Sequence, residues 1–264
     1  MFGKNKFLSF LFVFFLFQSY LFAAYDFSGT DQYLHVTDEN AVDQGTDVTV
    51  CAWIMPDTIS GIDGIVNRDE STDGDRVFQF RLSDGTLQAI CFVNDTTNAT
   101  ASSSAPVEVD VWTFVAFTFD GSNIHVFINS GTSAGTAALS GDLSAEAVGI
   151  SVAARSRTNA SQSNPPDDFD GTIAEPAQWN RVLSEAELNA LAGNNSPQFY
   201  TTGLQWHAPL VDDYVDDTGG MTFTATGAPT QATHPEITLP SAGGYVNLIG
   251  GNFGNKLING GLIK

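Results

Sequence analysis

Short apolar runs recur about every ten residues between Tyr25 and Trp179, each bounded by Gly, Asp, Asn or Ser. Such spacing, with turn signals between the runs, is that of an antiparallel β-sandwich or jelly roll. Ala24 to Val36 reads as an aromatic strand, a Ser-Gly-Thr-Asp turn and a second strand ending in Tyr33-Leu34-His35-Val36. Val48 to Met55 places Val48, Val50, Ala52 and Ile54 on one face and Thr49, Cys51 and Trp53 on the other. Apolar residues on both faces predict a strand between two packed layers, which Pro56 ends. Ile62 to Asn67 follows, then Val77–Leu82 and Leu87–Val93 around Asp84-Gly85. Asp-Gly between apolar runs is a strong hairpin signal. Val111–Phe119 and Ile124–Ile128 flank a second one at Asp120-Gly121, and Val148–Ala153 adds a further strand.

The stretch Phe169–Leu191 runs a strand, Gly171 to Trp179, straight into a short helix. Ser184 suits the N-cap and Glu187 three residues on completes a capping box. Leu188 and Leu191 then share one face. Gly193 is expected to end the helix in the left-handed conformation. Phe169, Gly171, Ile173, Glu175, Trp179, Asn180, Arg181, Leu183, Ser184, Glu187 and Leu188 resemble the end of the laminin-G-like and pentraxin-like jelly rolls of the concanavalin A-like lectin/glucanase group. Ala174 and Pro176 depart from that pattern. Phe27, Gly29, Tyr33 and Val36, the run ending in Trp53 and Pro56, and the hairpin from Trp112 to Asn129 and Gly131 extend the resemblance over Tyr25 to Ala192. It implies an all-β, two-sheet antiparallel jelly-roll sandwich with one short C-terminal helix.

Four segments are expected. Residues 1–24 carry Lys4, Lys6 and an apolar run and read as a secretory signal peptide or, alternatively, an uncleaved apolar anchor. Residues 25–226 form the jelly-roll domain, 227–240 a Pro-rich linker and 241–264 a Gly/Asn-rich tail. Cys51 and Cys91 lie in predicted strands, either as one disulfide or as two buried free thiols. A net charge of -20 excludes nucleic-acid and anionic-membrane partners, which need a positive footprint. The chain is peripheral to a membrane at most.

Catalysis finds little support. Glu108 and Asp110 alternate as glucanase carboxylates do, but Val and Trp follow where a further carboxylate should stand. His35, His125, His207 and His234 stand alone in sequence, without metal or nucleophile motifs. Calcium, a hard cation that prefers oxygen ligands, is the candidate cofactor. Its expected ligands are Asp167, Asp168 and Asp170, with Glu175 on the following strand and Asp31 in the first turn. A second acidic group at Asp212, Asp213, Asp216 and Asp217 lacks EF-hand spacing.

Carbohydrate is the ligand class that the resemblance implies. The loops around Arg68-Asp69, Asn94-Asp95 and Arg155–Asn159 supply its polar groups, with Arg68, Asp69, Asn94 and Arg155 as candidate ligand-binding residues. The expected protein is a secreted or surface-displayed, non-enzymatic lectin-like module for glycans or a cell-surface protein partner. By resemblance, a phage or viral particle surface protein is the alternative, with a glycoside hydrolase behind both.

Overall fold

The computed structural model describes residues 24–37, 46–69, 76–94, 97–145, 148–155, 167–210, 213–218, 221–240 and 246–248. The predicted signal segment, Asp95, residues 156–166 and Asp212 lie outside them. In chain order the first strands are β1 (Ala24–Ser28), β2 (Tyr33–Val36), β3 (Asp47–Pro56), β4 (Ile62–Asp69), β5 (Arg76–Ser83) and β6 (Thr86–Val93). Then come β7 (Thr97–Pro106), β8 (Thr113–Asp120), β9 (Asn123–Ile128), β10 (Ser133–Ala138), β11 (Ile150–Val152) and β12 (Asp170–Trp179). After the helix α1 (Glu185–Ala192) follow β13 (Leu204–His207), β14 (Thr224–Thr226), β15 (Thr230–Ala232), β16 (Ile237–Leu239) and β17 (Val246–Leu248).

Two antiparallel sheets carry the fold. One runs β10-β9-β8-β3-β12-β1-β15, with β13 also pairing β12; the other runs β14-β2-β11-β4-β5-β6-β7. The β1–β2 turn crosses from one sheet to the other. Between the sheets lies a core containing Val50, Ile54, Phe78, Phe80, Leu82, Phe117 and Phe119. Transfer of this apolar area out of water is the main drive for the sandwich.

β3 is covered on both faces, as its composition predicts. Val48, Val50, Ala52 and Ile54 enter the inter-sheet core. Cys51 and Trp53 point the other way, into a second cluster with Leu183, Leu188 and Leu191 under α1. The cap of α1 forms as expected: Glu187 N donates to Ser184 Oγ at 3.3 Å, and Ser184 N to Glu187 Oε2 at 2.8 Å. The helix end does not. Gly193 has φ -86°, and Asn194 takes the left-handed position at φ 73°. Asn194 N bonds Leu191 O and Asn195 N bonds Ala190 O, so a complete Schellman turn ends the helix one residue later.

Residues 227–240 are not a linker. β15 pairs with β1, Tyr25 opposite Gln231, and β16 pairs with β17 while burying Ile237 against the second cluster. The prolines here stand outside the strands, where no ladder donor is lost. β7 and β10 were not expected either. They are polar edge strands whose pairing is a backbone matter, and the two sheets approach each other there. A Cβ on Gly135 of β10 would sit 1.9 Å from Ser102 O of β7. Cys51 and Cys91 are buried free thiols in different clusters. Among the described residues no helix is long and apolar enough to cross a membrane.

Candidate functional site

Strand alternation sorts β5 cleanly. Phe78, Phe80 and Leu82 enter the core, so Gln79 and Arg81 stand on the outer face of the seven-stranded sheet. Likewise Leu87, Ala89, Cys91 and Val93 face in, leaving Gln88, Ile90 and Phe92 outside. Register aligns Gly64, Arg81, Gln88 and Ser102 across β4 to β7. A parallel row runs His35, Ser151, Asn67, Gln79, Ile90 and Thr100.

Arginines organise this face. Asp69 receives Gln79 Nε2 at 2.5 Å and lies 3.4 Å from both Arg76 and Arg155. Arg155 also pairs with Asp167 at 2.7 Å. The Arg76 guanidinium carbon stands 5.6 Å from the centre of the Phe92 ring, a cation–π distance. Arg81 donates from Nη1 to Gln79 Oε1 at 3.0 Å, and from Nη2 and Nε to Gln88 Oε1 at 3.1 and 3.2 Å. Burial and the neighbouring Arg155 charge push Arg81 below the usual guanidinium range, against the pull of Asp167 and Asp69. Asn67 is locked in place, donating to Ala154 O at 2.8 Å and accepting from Phe80 N at 3.0 Å.

Of the predicted ligand residues, Asp69 and Arg155 meet here. Arg68 is buried, with Nη2 donating to Val148 O at 3.0 Å. Asn94 is exposed in the turn after β6, at φ 57°. Arg76, Gln79, Arg81 and Gln88 were missed. The polar positions opposite Phe78, Phe80 and Leu82 were the available signal.

The predicted calcium residues divide into two groups. Asp31 N donates to Asp168 Oδ2 at 2.7 Å, and Asp167 is taken by Arg155. Asp170 packs where Gly29 leaves room, since a Cβ there would lie 2.8 Å from Asp170 Cβ. Asp63, not foreseen, is 5% exposed beside them. Burial, then the charges of Asp170, Asp167 and Asp84, push its carboxyl up to about 7. Glu175 is elsewhere. It sits at φ 53° in a bulge of β12, between Ala174 and Ala177, and turns to two histidines. Among the described residues, no three His, Cys, Asp or Glu side chains are arranged to hold a metal ion.

Glu175 Oε2 lies 2.8 Å from His207 Nε2, and Oε1 lies 3.2 Å from His234 Nε2. His207 Nδ1 is 3.4 Å from Asp217, and Ser196 Oγ donates to Glu175 at 3.5 Å. Burial alone raises the Glu175 carboxyl, but the His207 charge and the histidine hydrogen bonds outweigh it and hold it down to about 2. Burial likewise pulls His207 down, yet Glu175 and Asp217 raise it to about 9. A buried ion pair thus ties β12 and β13 to the segment after β15. A cavity of about 450 Å³, lined by Gln198, Thr201, Leu204, Asp217 and Thr218, opens beside it.

Two antiparallel sheets packed face to face, crossed by one capping helix, define a jelly-roll sandwich. A laminin G family model, described as the concanavalin A-like lectin/glucanases superfamily, matches residues 28–189, more than half of the sequence. The chain belongs to that superfamily. No curated protein matches it. A solved Bacteroides ovatus protein described as carbohydrate binding is 18% identical, with a TM-score of 0.60 over 81% of this chain and 60% of its own. The heptameric SAP-like pentraxin of Limulus polyphemus is also 18% identical, with a TM-score of 0.56 over 81% and 95%. The CBM40 of the Ruminococcus gnavus IT-sialidase, solved with α2,3 sialyllactose, is 16% identical, with a TM-score of 0.50 over 65% and 97%. The chain spans less than two thirds of the Bacteroides protein.

Proposed function

We propose that this protein is a non-enzymatic glycan-binding module whose sugar site is the outer face of β4 to β7. One observation carries the reading. On that face the half-buried Arg81 guanidinium is fixed by the planar amides of Gln79 and Gln88, with Gln88 and Ser102 reaching solvent beside it and Arg76 lying over the buried Phe92 ring. Sugar sites use such convergent, pre-set polar groups because each hydroxyl must exchange its water partners for protein ones. Glycan binding by solved proteins of the same fold agrees with it.

A binding role fits better than a hydrolase. Glu108 and Asp110 are both exposed in the connection between β7 and β8, and Asp110 has φ 57°, so they do not line one strand face. Calcium enters the proposal only through the sequence cluster Asp167, Asp168 and Asp170, since the described side chains form no three-ligand group for a metal ion. Export to the cell exterior rests on the apolar start of the sequence, and N-terminal sequencing of the mature protein tests it. A glycan-array screen of the full chain, with and without chelator, tests the main reading. Binding without release of reducing ends is expected. An array with no bound glycan, or turnover of one, overturns it.

A further inference from the structure

The glycan-binding reading can be taken one step deeper, and the inference below rests on it. We infer that the glycan taken by this face carries a carboxylate, and that Arg81 receives it. The charge distribution is the first argument. The sequence holds 30 Asp and Glu against 10 Lys and Arg. The basic residues among those described are Arg68, Arg76, Arg81, Arg155 and Arg181. Arg181 is held by Glu187 at 2.7 Å, beside the helix. Arg68 is buried on the core side of β4, opposite Phe78, whereas Arg76, Arg81 and Arg155 belong to β5 and the turn after β11. On so acidic a protein an anion is repelled almost everywhere, and this face is where guanidinium groups gather.

Partner chemistry then separates Arg81 from its neighbours. Arg76 and Arg155 already have carboxylates. Arg81 is half-buried and touches only the amide oxygens of Gln79 and Gln88, with no carboxylate at ion-pair distance among the described residues. Amide dipoles orient a guanidinium but do not neutralise it. A guanidinium has five N–H groups. Three are engaged here, which leaves one on Nη1 and one on Nη2. Two parallel donors on the terminal nitrogens are the fork that a carboxylate accepts through both oxygens. Burial of such a cation is costly until an anion arrives, so binding selects for charge.

The row to which Arg81 belongs gives the rest of the sugar something to meet. Gln88 Nε2 reaches Ser102 Oγ at 3.4 Å, and Ser102 is exposed on β7. These groups suit neutral hydroxyls, one strand away from the carboxylate position.

The experiment titrates the full chain with matched pairs differing only in the acid. Sialyllactose against lactose, and oligogalacturonate against its carboxyl-reduced form, serve, with a sulfated galactan as a further arm. The acidic members should bind about tenfold or more tighter, as expected of one charge-assisted bidentate contact. Arg81→Gln should remove that preference while retaining the wild-type melting temperature. Arg81→Lys, which keeps the charge and loses the fork, should recover part of it. Equal binding within each pair, or an acid preference untouched in Arg81→Gln, overturns the inference and leaves the glycan reading standing. Preference for the sulfated arm over both carboxylates overturns it too. Absence of binding to every member, acid or neutral, overturns the glycan reading itself. If Arg81→Gln melts early, the Arg81→Lys comparison decides: an undiminished acid preference there refutes the fork.

Discussion

Replacing Glu175 with Gln tests whether the buried pair with His207 holds the C-terminal strands to the sandwich. The substitution keeps the shape and removes the charge that sustains the His207 imidazolium at 2.8 Å. Raising His207 from 6.5 to about 9 corresponds to about 3 kcal/mol, at about 1.4 kcal/mol for each tenfold change in proton affinity. The lowering of Glu175 describes the same contact from the other side and is counted once. The sign follows from proton binding. Between pH 6.5 and about 9 the folded state holds a proton that the unfolded chain has released. The contribution is therefore complete below pH 6.5 and lost as pH rises through about 9. At the acid end, Glu175 contributes above its ordinary 4.5, and that contribution is lost as pH falls through about 2. Urea denaturation of wild type and Glu175→Gln at pH 6, 7, 8 and 9.5 provides the assay. Asp217 shares in raising His207 and is kept, so at pH 7 the variant should be less stable by no more than about 3 kcal/mol. Wild type should weaken towards pH 9.5, and the difference between the two should shrink. Asp63, whose folded carboxyl titrates at about 7, is common to both proteins and cancels. A constant difference from pH 6 to 9.5 would refute the assignment of that limb to the pair.

Two further outcomes can be checked on the same protein. Ser184→Ala should cost about 1 kcal/mol, because Glu187 N then loses its acceptor, and an unchanged urea midpoint would show the cap to be idle. Calcium should raise the melting temperature more than magnesium or chelator, since magnesium releases its waters reluctantly; equal melts in all three would leave the Asp167, Asp168 and Asp170 cluster without a cation role.

What could be read from the sequence was whatever depends on local order. Two-faced apolar composition put β3 between layers, Asp84-Gly85 made its hairpin at φ 48° and 75°, and Ser184 with Glu187 wrote the helix start. The helix end was misplaced because Gly193 and Asn194 both suit a left-handed turn, and bonds to Ala190 and Leu191 chose Asn194. Edge strands β7, β10 and β15 escaped because edges are held by backbone pairing and need no apolar pattern. The Glu175, His207 and His234 group was invisible because strand register assembles it over long sequence separations. Half of the arginine face was legible: Asp69 and Arg155 were singled out as loop residues. Arg76 and Arg81 needed the alternation of β5, and the pairing to Gln88 needed the fold.

The central claim is that glycans bind on the outer face of β4 to β7. Amide chemical-shift mapping tests it most directly, using the full chain titrated with the tightest glycan from the array. The account predicts that the largest shifts fall on Asn67, Gln79, Arg81, Gln88 and Ser102, fading in Arg81→Gln. Shifts confined to the cavity at Gln198, Thr201 and Asp217, with the β5 and β6 amides unmoved, would contradict it.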